Sequence, residues 1–167
     1  MADHHDKPQS EFEERLVELN RVSRTVKGGK RMRFRALVVV GNKKGRVGMG
    51  MGKAGDVQQA IKKAGQSAKK HMINVPIVND TIPHEINIKF GSAHVFLKPA
   101  AAGTSIIAGG PIRAVIELAG IKNILSKMIG SNNKTNNVRA VLKALETMKE
   151  RPVSAKAAKV AKTKAAA

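Results

Sequence analysis

The sequence predicts an α+β chain in two units, the first ordered α-β-β-β-α and the second a strand hairpin followed by helix, strand and helix. Three observations carry this. The apolar spacing switches from three or four residues to two near Asn20, and back to helical spacing after Asp56. A stretch with two prolines, INVPIVNDTIPHE, then interrupts the pattern, and a second alternation begins at Ile86. With 42% apolar residues in 167, the chain has material for a packed core.

Ser10 and Glu13 fit a capping box, and Phe12, Leu16 and Leu19 recur at helical spacing, so a short amphipathic helix is expected over 11–19. Val22, Arg24 and Val26 then alternate with Ser23, Thr25 and Lys27, and Gly28-Gly29 supplies a tight turn. Met32, Phe34, Ala36, Val38 and Val40 share one face of the next strand, and Arg31, Arg33, Arg35, Leu37 and Val39 the other. One side is expected to be buried, with arginines displayed near the turn. After GNKKG, the side chains of Val47, Met49 and Met51 point to the core, while Gly48, Gly50 and Gly52 leave a bare face open to a backbone or a phosphate. Asp56 suits an N-cap, and Val57, Ala60, Ile61, Ala64 and Ala68 mark a helix to about His71. Helix, three antiparallel strands and helix is the topology of a double-stranded-RNA-binding domain.

In the second unit, Ile86, Ile88 and Phe90 alternate, GSA turns the chain, and Val95 and Leu97 return. Pro111 suits a first helical turn, with Ile112, Val115, Ile116 and Ala119 as the buried stripe. A strand is expected over 123–129, GSNNKTNN as a polar loop, and Val138, Val141, Leu142, Leu145 and Met148 on a last helix. The expected organisation is a disordered start at 1–9, units at 10–78 and 79–150, and a flexible basic tail at 151–167.

Charge narrows the function. Lys plus Arg number 31 against 12 Asp plus Glu, a formal +19 that calls for a polyanionic partner. Between Glu18 and Asp56 the chain carries no acid, yet has Arg21, Arg24, Lys27, Lys30, Arg31, Arg33, Arg35, Lys43, Lys44, Arg46 and Lys53. Such a run is tolerable where an anion neutralises it. No cysteine is present, which excludes disulfides and thiol chemistry. No apolar run approaches the ~18–20 residues of a membrane span. The acidic, polar start MADHHDKPQSEFEE resembles neither a secretory signal nor a transit peptide, so a cytoplasmic location is expected. Four Phe and no Tyr or Trp favour recognition of shape and phosphates over stacking.

Other motifs carry less. Gly50, Gly52 and Gly55 fit G-x-G-x-x-G, but the strands before them alternate like an antiparallel meander, and Asp80 is only a loose match to the acid such a fold needs about 20 residues on. Walker A fails at Val47 and Ala54, and GKAG is too short to signal a KH clamp. His4, His5, His71, His84 and His94 show no metal spacing, although His84 and His94 could oppose each other across a hairpin. The methionines fall mainly at core-facing positions. No paired carboxylates or nucleophile elbow stand out, so no enzyme activity, cofactor, metal or small-molecule substrate is expected.

The run NRVSRTVKGGKRMRFRALVVVGNKKGRVGMGMGKAGDVQQAIKKA resembles the N-terminal signature of bacterial-type ribosomal protein five of the small subunit. HVFLKPAAAGTSIIAGGPIRAVIELAGI and NVRAVLKALETMK are similar to that family's C-terminal domain, so the resemblance covers about residues 10–150. It implies a double-stranded-RNA-binding-like unit followed by a β-α-β unit with a left-handed crossover. It also implies a structural role in the small subunit, with rRNA, proteins four and eight, and mRNA at its entrance as partners, and no membrane. The family's hairpin, here residues 22–30, inserts into rRNA near the spectinomycin site. The implied rRNA contacts are Arg21, Ser23, Arg24, Lys27, Gly28, Gly29 and Lys30, continuing through Arg31, Arg33, Arg35, Lys43, Lys44, Arg46, Gly50, Gly52 and Lys53. Gly103, Thr104, Gly109, Gly110 and Arg113 resemble the contact region with protein four, where changes alter decoding accuracy. Arg21 and Arg24 are the implied contributors to mRNA unwinding. Met49 and Met51 stand where the family often has aromatics, which leaves phosphate binding but not base stacking expected there. Two other readings stay open at this stage: a duplex-RNA regulator acting off the ribosome, and a nucleotide-dependent enzyme using GMGKAG.

Overall fold

A computed structural model describes residues 11–148. The start expected to be disordered at 1–9, the tail at 151–167 and the Ser10 capping box lie outside these residues. The first sheet has four antiparallel strands in the order β1 (Glu13–Val26), β2 (Gly29–Gly41), β3 (Arg46–Ala54) and β4 (Met72–Asn74). Helix α1 (Val57–Lys70) links β3 to β4 and lies on one face. The second sheet runs β5 (Ile86–Phe90), β6 (Ala93–Pro99), β8 (Ile124–Gly130), β7 (Ile106–Ile107). Its β7-α2-β8 segment, with α2 at Gly110–Ala119, makes β7 parallel to β8, and α3 (Lys134–Thr147) closes the unit. The α+β class and the β-α-β region hold.

The first element is corrected. Residues 11–19 form no helix; from Glu13 the chain is a strand paired to β2. The pairing skips Val17, so Leu16 faces Val38 while Glu18 faces Leu37. A bulge of this kind adds one residue to a period of two. Phe12, Leu16 and Leu19 thus stay on the α1 side despite spacings of four and three, which imitate a helix turn. The exposures of Leu16 (43%) and Leu19 (38%) show that this stripe is not what the core buries. Among the described residues the first unit therefore reads β-β-β-α-β. The last helix also starts earlier than expected: Asn133 caps α3 by accepting the Thr135 N–H at 3.0 Å, taking Lys134, Thr135, Asn136 and Asn137 out of the polar loop.

Both faces of β2 are used, against the expectation of one. Ala36, Val38 and Val40 pack on Ala60, Ala64 and Ala68 of α1. Leu37 and Val39 join a second core with Val47, Ile112, Val115, Ile116 and residues of α3. The seam between the sheets is tied by backbone bonds from Lys43 N to Leu118 O (2.9 Å) and Gly45 N to Ala119 O (2.8 Å). Gly120 makes this possible. It ends α2 at φ 94°, and a Cβ there would strike the Lys43 carbonyl oxygen.

Candidate RNA interface

The β1–β2 hairpin outruns the sheet. Pairing of β2 with β3 ends at Phe34–Ala54, whereas pairing with β1 continues through Val22–Arg33, Arg24–Arg31 and Val26–Gly29. Five further rungs at ~3.3 Å each project an arm of about 17 Å. Its loop is Lys27-Gly28, and among the loop residues and their flanks only Gly29 has positive φ (111°), which fits a type I turn closed by a glycine bulge.

Residues paired across strands share a face, which sorts the arm's side chains. One face carries Arg35 opposite Lys53, Arg33 opposite Val22, and Arg24 opposite Arg31. The other carries Arg21, Ser23, Lys30 and Met32. Like charges directly opposite one another destabilise a sheet, and this face has two such rungs, Arg35–Lys53 across to β3 and Arg24–Arg31 across to β1, on either side of the Arg33–Val22 rung. Among the described residues none of these cations has a carboxylate partner, while Arg15, Lys43, Lys69, Lys122 and Lys134 each do. With its amide oxygen turned to the guanidinium, Asn20, directly across from Arg35 at the root of the arm, accepts from Arg35 Nη2 at 3.0 Å. Val22, Ser23, Arg24, Val26, Arg31, Arg33 and Lys53 line a groove of about 410 Å³. It is cationic with an apolar floor, suited to phosphate oxygens along its rim and a ribose or base edge below.

The sequence run of cations is not one patch. Lys43, Lys44 and Arg46 lie at the opposite end of β2, which at twelve steps from Gly29 is ~40 Å away. Lys43 is paired with Glu13 at 2.6 Å and belongs to the seam between the sheets. Gly50 and Gly52 are corrected as well: both are buried under α1. A Cβ on Gly52 would lie 2.5 Å from Ala60 O, and one on Gly50 would strike Ala64 O. The bare strand face does receive a backbone, but it is the helix and not a phosphate. Met32 is 48% exposed and Met51 38%, so neither is the core methionine expected. Met32 sits past the end of β3 and, among the described residues, joins neither core cluster, and the strand alternation alone gave no sign of that.

Gly103, Thr104, Gly109, Gly110 and Arg113 surround the edge strand β7. Gly103 (φ 91°) and Thr104 precede it in an exposed turn, whose Thr104 N–H donates to Ala101 O at 3.2 Å. Gly109 caps α2 against Met128, and Arg113 Nη2 donates to Ile106 O at 3.1 Å. The five residues form one neighbourhood, well away from the arm in the chain's topology. His94 stands opposite Lys89, so the possible His84–His94 pair does not form. Among the described residues no cluster of His, Asp or Glu could hold a metal, and no helix is long and apolar enough to cross a membrane.

Two family models match. Ribosomal protein S5, N-terminal domain, fits residues 12–76, and Ribosomal protein S5, C-terminal domain, fits residues 88–159. The first covers the cationic arm and its sheet, the second the unit around β7 and α2. The matches follow one another in the family's order and leave only the proline-bearing joint between them, so the chain belongs to the ribosomal protein S5 family, a structural rather than catalytic, rRNA-binding constituent of the cytoplasmic small ribosomal subunit.

Proposed function

We propose that this chain is a bacterial-type member whose arm enters folded small-subunit rRNA and is fixed there by its unpaired cations. The observation that carries this is a hairpin that extends past its sheet with one like-charged rung on it, Arg24–Arg31, and a second at its root, Arg35–Lys53. An isolated two-stranded arm is marginal in water. Phosphates drawn between the opposed cations turn the repulsion into attraction and order the arm, with release of condensed counterions as the driving term. Val22 and Val26 on one face and Met32 on the other set apolar side chains between the charges. Around the arm, Arg21 and Arg24 contribute to the mRNA entrance. Gly103, Thr104, Gly109, Gly110 and Arg113 meet protein four, through which the chain influences decoding accuracy. Protein eight is a further neighbour, and the chain supports assembly of the subunit.

The test is equilibrium binding of the full chain to a small-subunit rRNA fragment across a salt series. If Arg21, Arg24, Lys27, Lys30, Arg31, Arg33 and Lys53 each neutralise one phosphate, the slope of log affinity against log salt is about −5 to −6. Replacing Arg24, Arg31, Arg33 and Lys53 by Gln reduces its magnitude by about 3 to 4. A slope near zero, or one unchanged in the variant, refutes the arm as the phosphate-binding element. Sedimentation of the chain with small subunits at moderate salt separates this role from that of a regulator acting off the ribosome.

A further inference from the structure

The second sheet has a face that no element covers among the described residues. Helices α2 and α3 pack on the side bearing Ile86, Ile88, Phe90, Val95, Leu97, Ile124 and Met128. The register places a different set on the opposite side. Asn87, Phe96 and Lys127 form one row across β5, β6 and β8; Lys89, His94 and Ile129 form the next; Lys98 and Leu125 continue to Ile107 of β7. None of these residues belongs to either core cluster, and Ile107 (53%) and Ile129 (46%) are openly exposed.

Charge identifies what fits there. Strands β5 to β8 contain no Asp or Glu at all. Lys89, Lys98 and Lys127 are exposed and, among the described residues, have no carboxylate partner. All three stand close to Phe96. Lys127 is its direct cross-strand neighbour at ~5 Å, Lys98 lies two residues along the same strand at ~7 Å, and Lys89 is a diagonal neighbour at ~7–8 Å. Residues 151–167 carry Lys and Arg but no acid, so the chain's own tail does not complement this face.

We propose that this open face is a second RNA site, a platform on which one unpaired nucleotide stacks over Phe96 while Lys89, Lys98 and Lys127 hold the flanking phosphates. A four-stranded sheet with a central aromatic and a cationic surround meets the requirements for binding splayed-out bases: a flat apolar ring for the base, and ammonium groups within one nucleotide's reach for the backbone. Asn87 across on β5 and His94 two residues along β6 add hydrogen-bonding groups beside the ring. The platform deepens the RNA-binding reading of the chain but uses none of the arm's residues.

The experiment is ultraviolet cross-linking of the full chain to an eight-nucleotide oligouridylate, with the linked peptides mapped, alongside affinity measurements. The expected result is cross-linking within β6 and β8. Phe96→Leu keeps an apolar side chain but removes the ring, and should lower oligouridylate affinity about 5- to 100-fold. The triple change Lys89→Gln, Lys98→Gln, Lys127→Gln should reduce the salt slope by about 2. These lysines are exposed, so the triple variant folds, which its circular dichroism checks. Cross-links confined to the β1–β2 arm, with both variants binding as the parent does, overturn the platform. Normal RNA binding by both variants together with loss of a neighbouring protein from purified subunits overturns it in favour of a protein-docking face. An arm variant that loses its own cross-links but keeps those in β6 and β8 separates the two sites, whereas loss of arm binding to rRNA fragments counts against the arm alone.

Discussion

Substituting Gly50 by Ala tests whether the glycine strand serves packing or phosphate binding. A Cβ at Gly50 would stand 2.5 Å from Ala68 N and 3.1 Å from Ala64 C, and closer still to Ala64 O. Carbon contacts are comfortable near ~3.5–4.0 Å, so α1 has to lift by about 1 Å. No flexible side chain can swing aside, because every blocking atom is helix backbone. Gly48 and Gly52 are closed by the same helix, which leaves no neighbouring slack. Ala60, Ala64 and Ala68 are fully buried, and lifting α1 would part them from Ala36, Val38 and Val40. Overpacking of this kind costs about 1–3 kcal/mol, and rigid surroundings put this site at the upper end. For a chain of this size that lowers the unfolding midpoint by about 6–12 °C. Thermal unfolding of the full chain followed by circular dichroism measures it, with Gly28→Ala as control, since a Cβ at Gly28 meets nothing within 4 Å. The folded fraction of Gly50→Ala should bind rRNA as the parent does. An unchanged midpoint combined with weakened RNA binding would refute the packing role and restore the phosphate one.

Three further outcomes are expected. Gly120→Ala places a side chain at φ 94° against the Lys43 carbonyl; it should cost about 2–4 kcal/mol and speed amide exchange at Lys43 and Gly45, seen in hydrogen-exchange mass spectrometry. Asn123 is buried and its Oδ1 accepts the Ser105 N–H at 3.1 Å, so Asn123→Ala should destabilise by about 1–3 kcal/mol and expose residues 100–105 to limited proteolysis. Lys43→Gln breaks only a surface pair with Glu13, and its urea midpoint should correspond to a loss below about 1 kcal/mol.

Much of the fold was legible because its signals are local. Alternation around Ala36, Val38 and Val40, the Asp56 boundary, Pro111 in the first turn of α2 and the hairpin at 86–97 all depend on residues close in sequence, and each is found where expected. The helix expected at 11–19 failed for the same reason. Its spacing is the sum of a two-residue period and one bulged residue, and only pairing with β2 reveals the bulge. Family membership was legible too, since long ordered runs of residues carry it.

The charge total and its concentration between Glu18 and Asp56 are properties of the chain itself, and with them came the class of partner. Which of those cations stand on one face is a matter of register. Pairing stacks Arg24, Arg31, Arg33, Arg35 and Lys53 on one face and sends Lys43, Lys44 and Arg46 to the far end of the sheet. Likewise, a strand with glycine at alternate positions announces that something comes close, but the identity of the visitor is a tertiary matter. Here α1 arrives first because it is tethered a few residues away and brings Ala60, Ala64 and Ala68 to bury, so the space is filled before any phosphate reaches it.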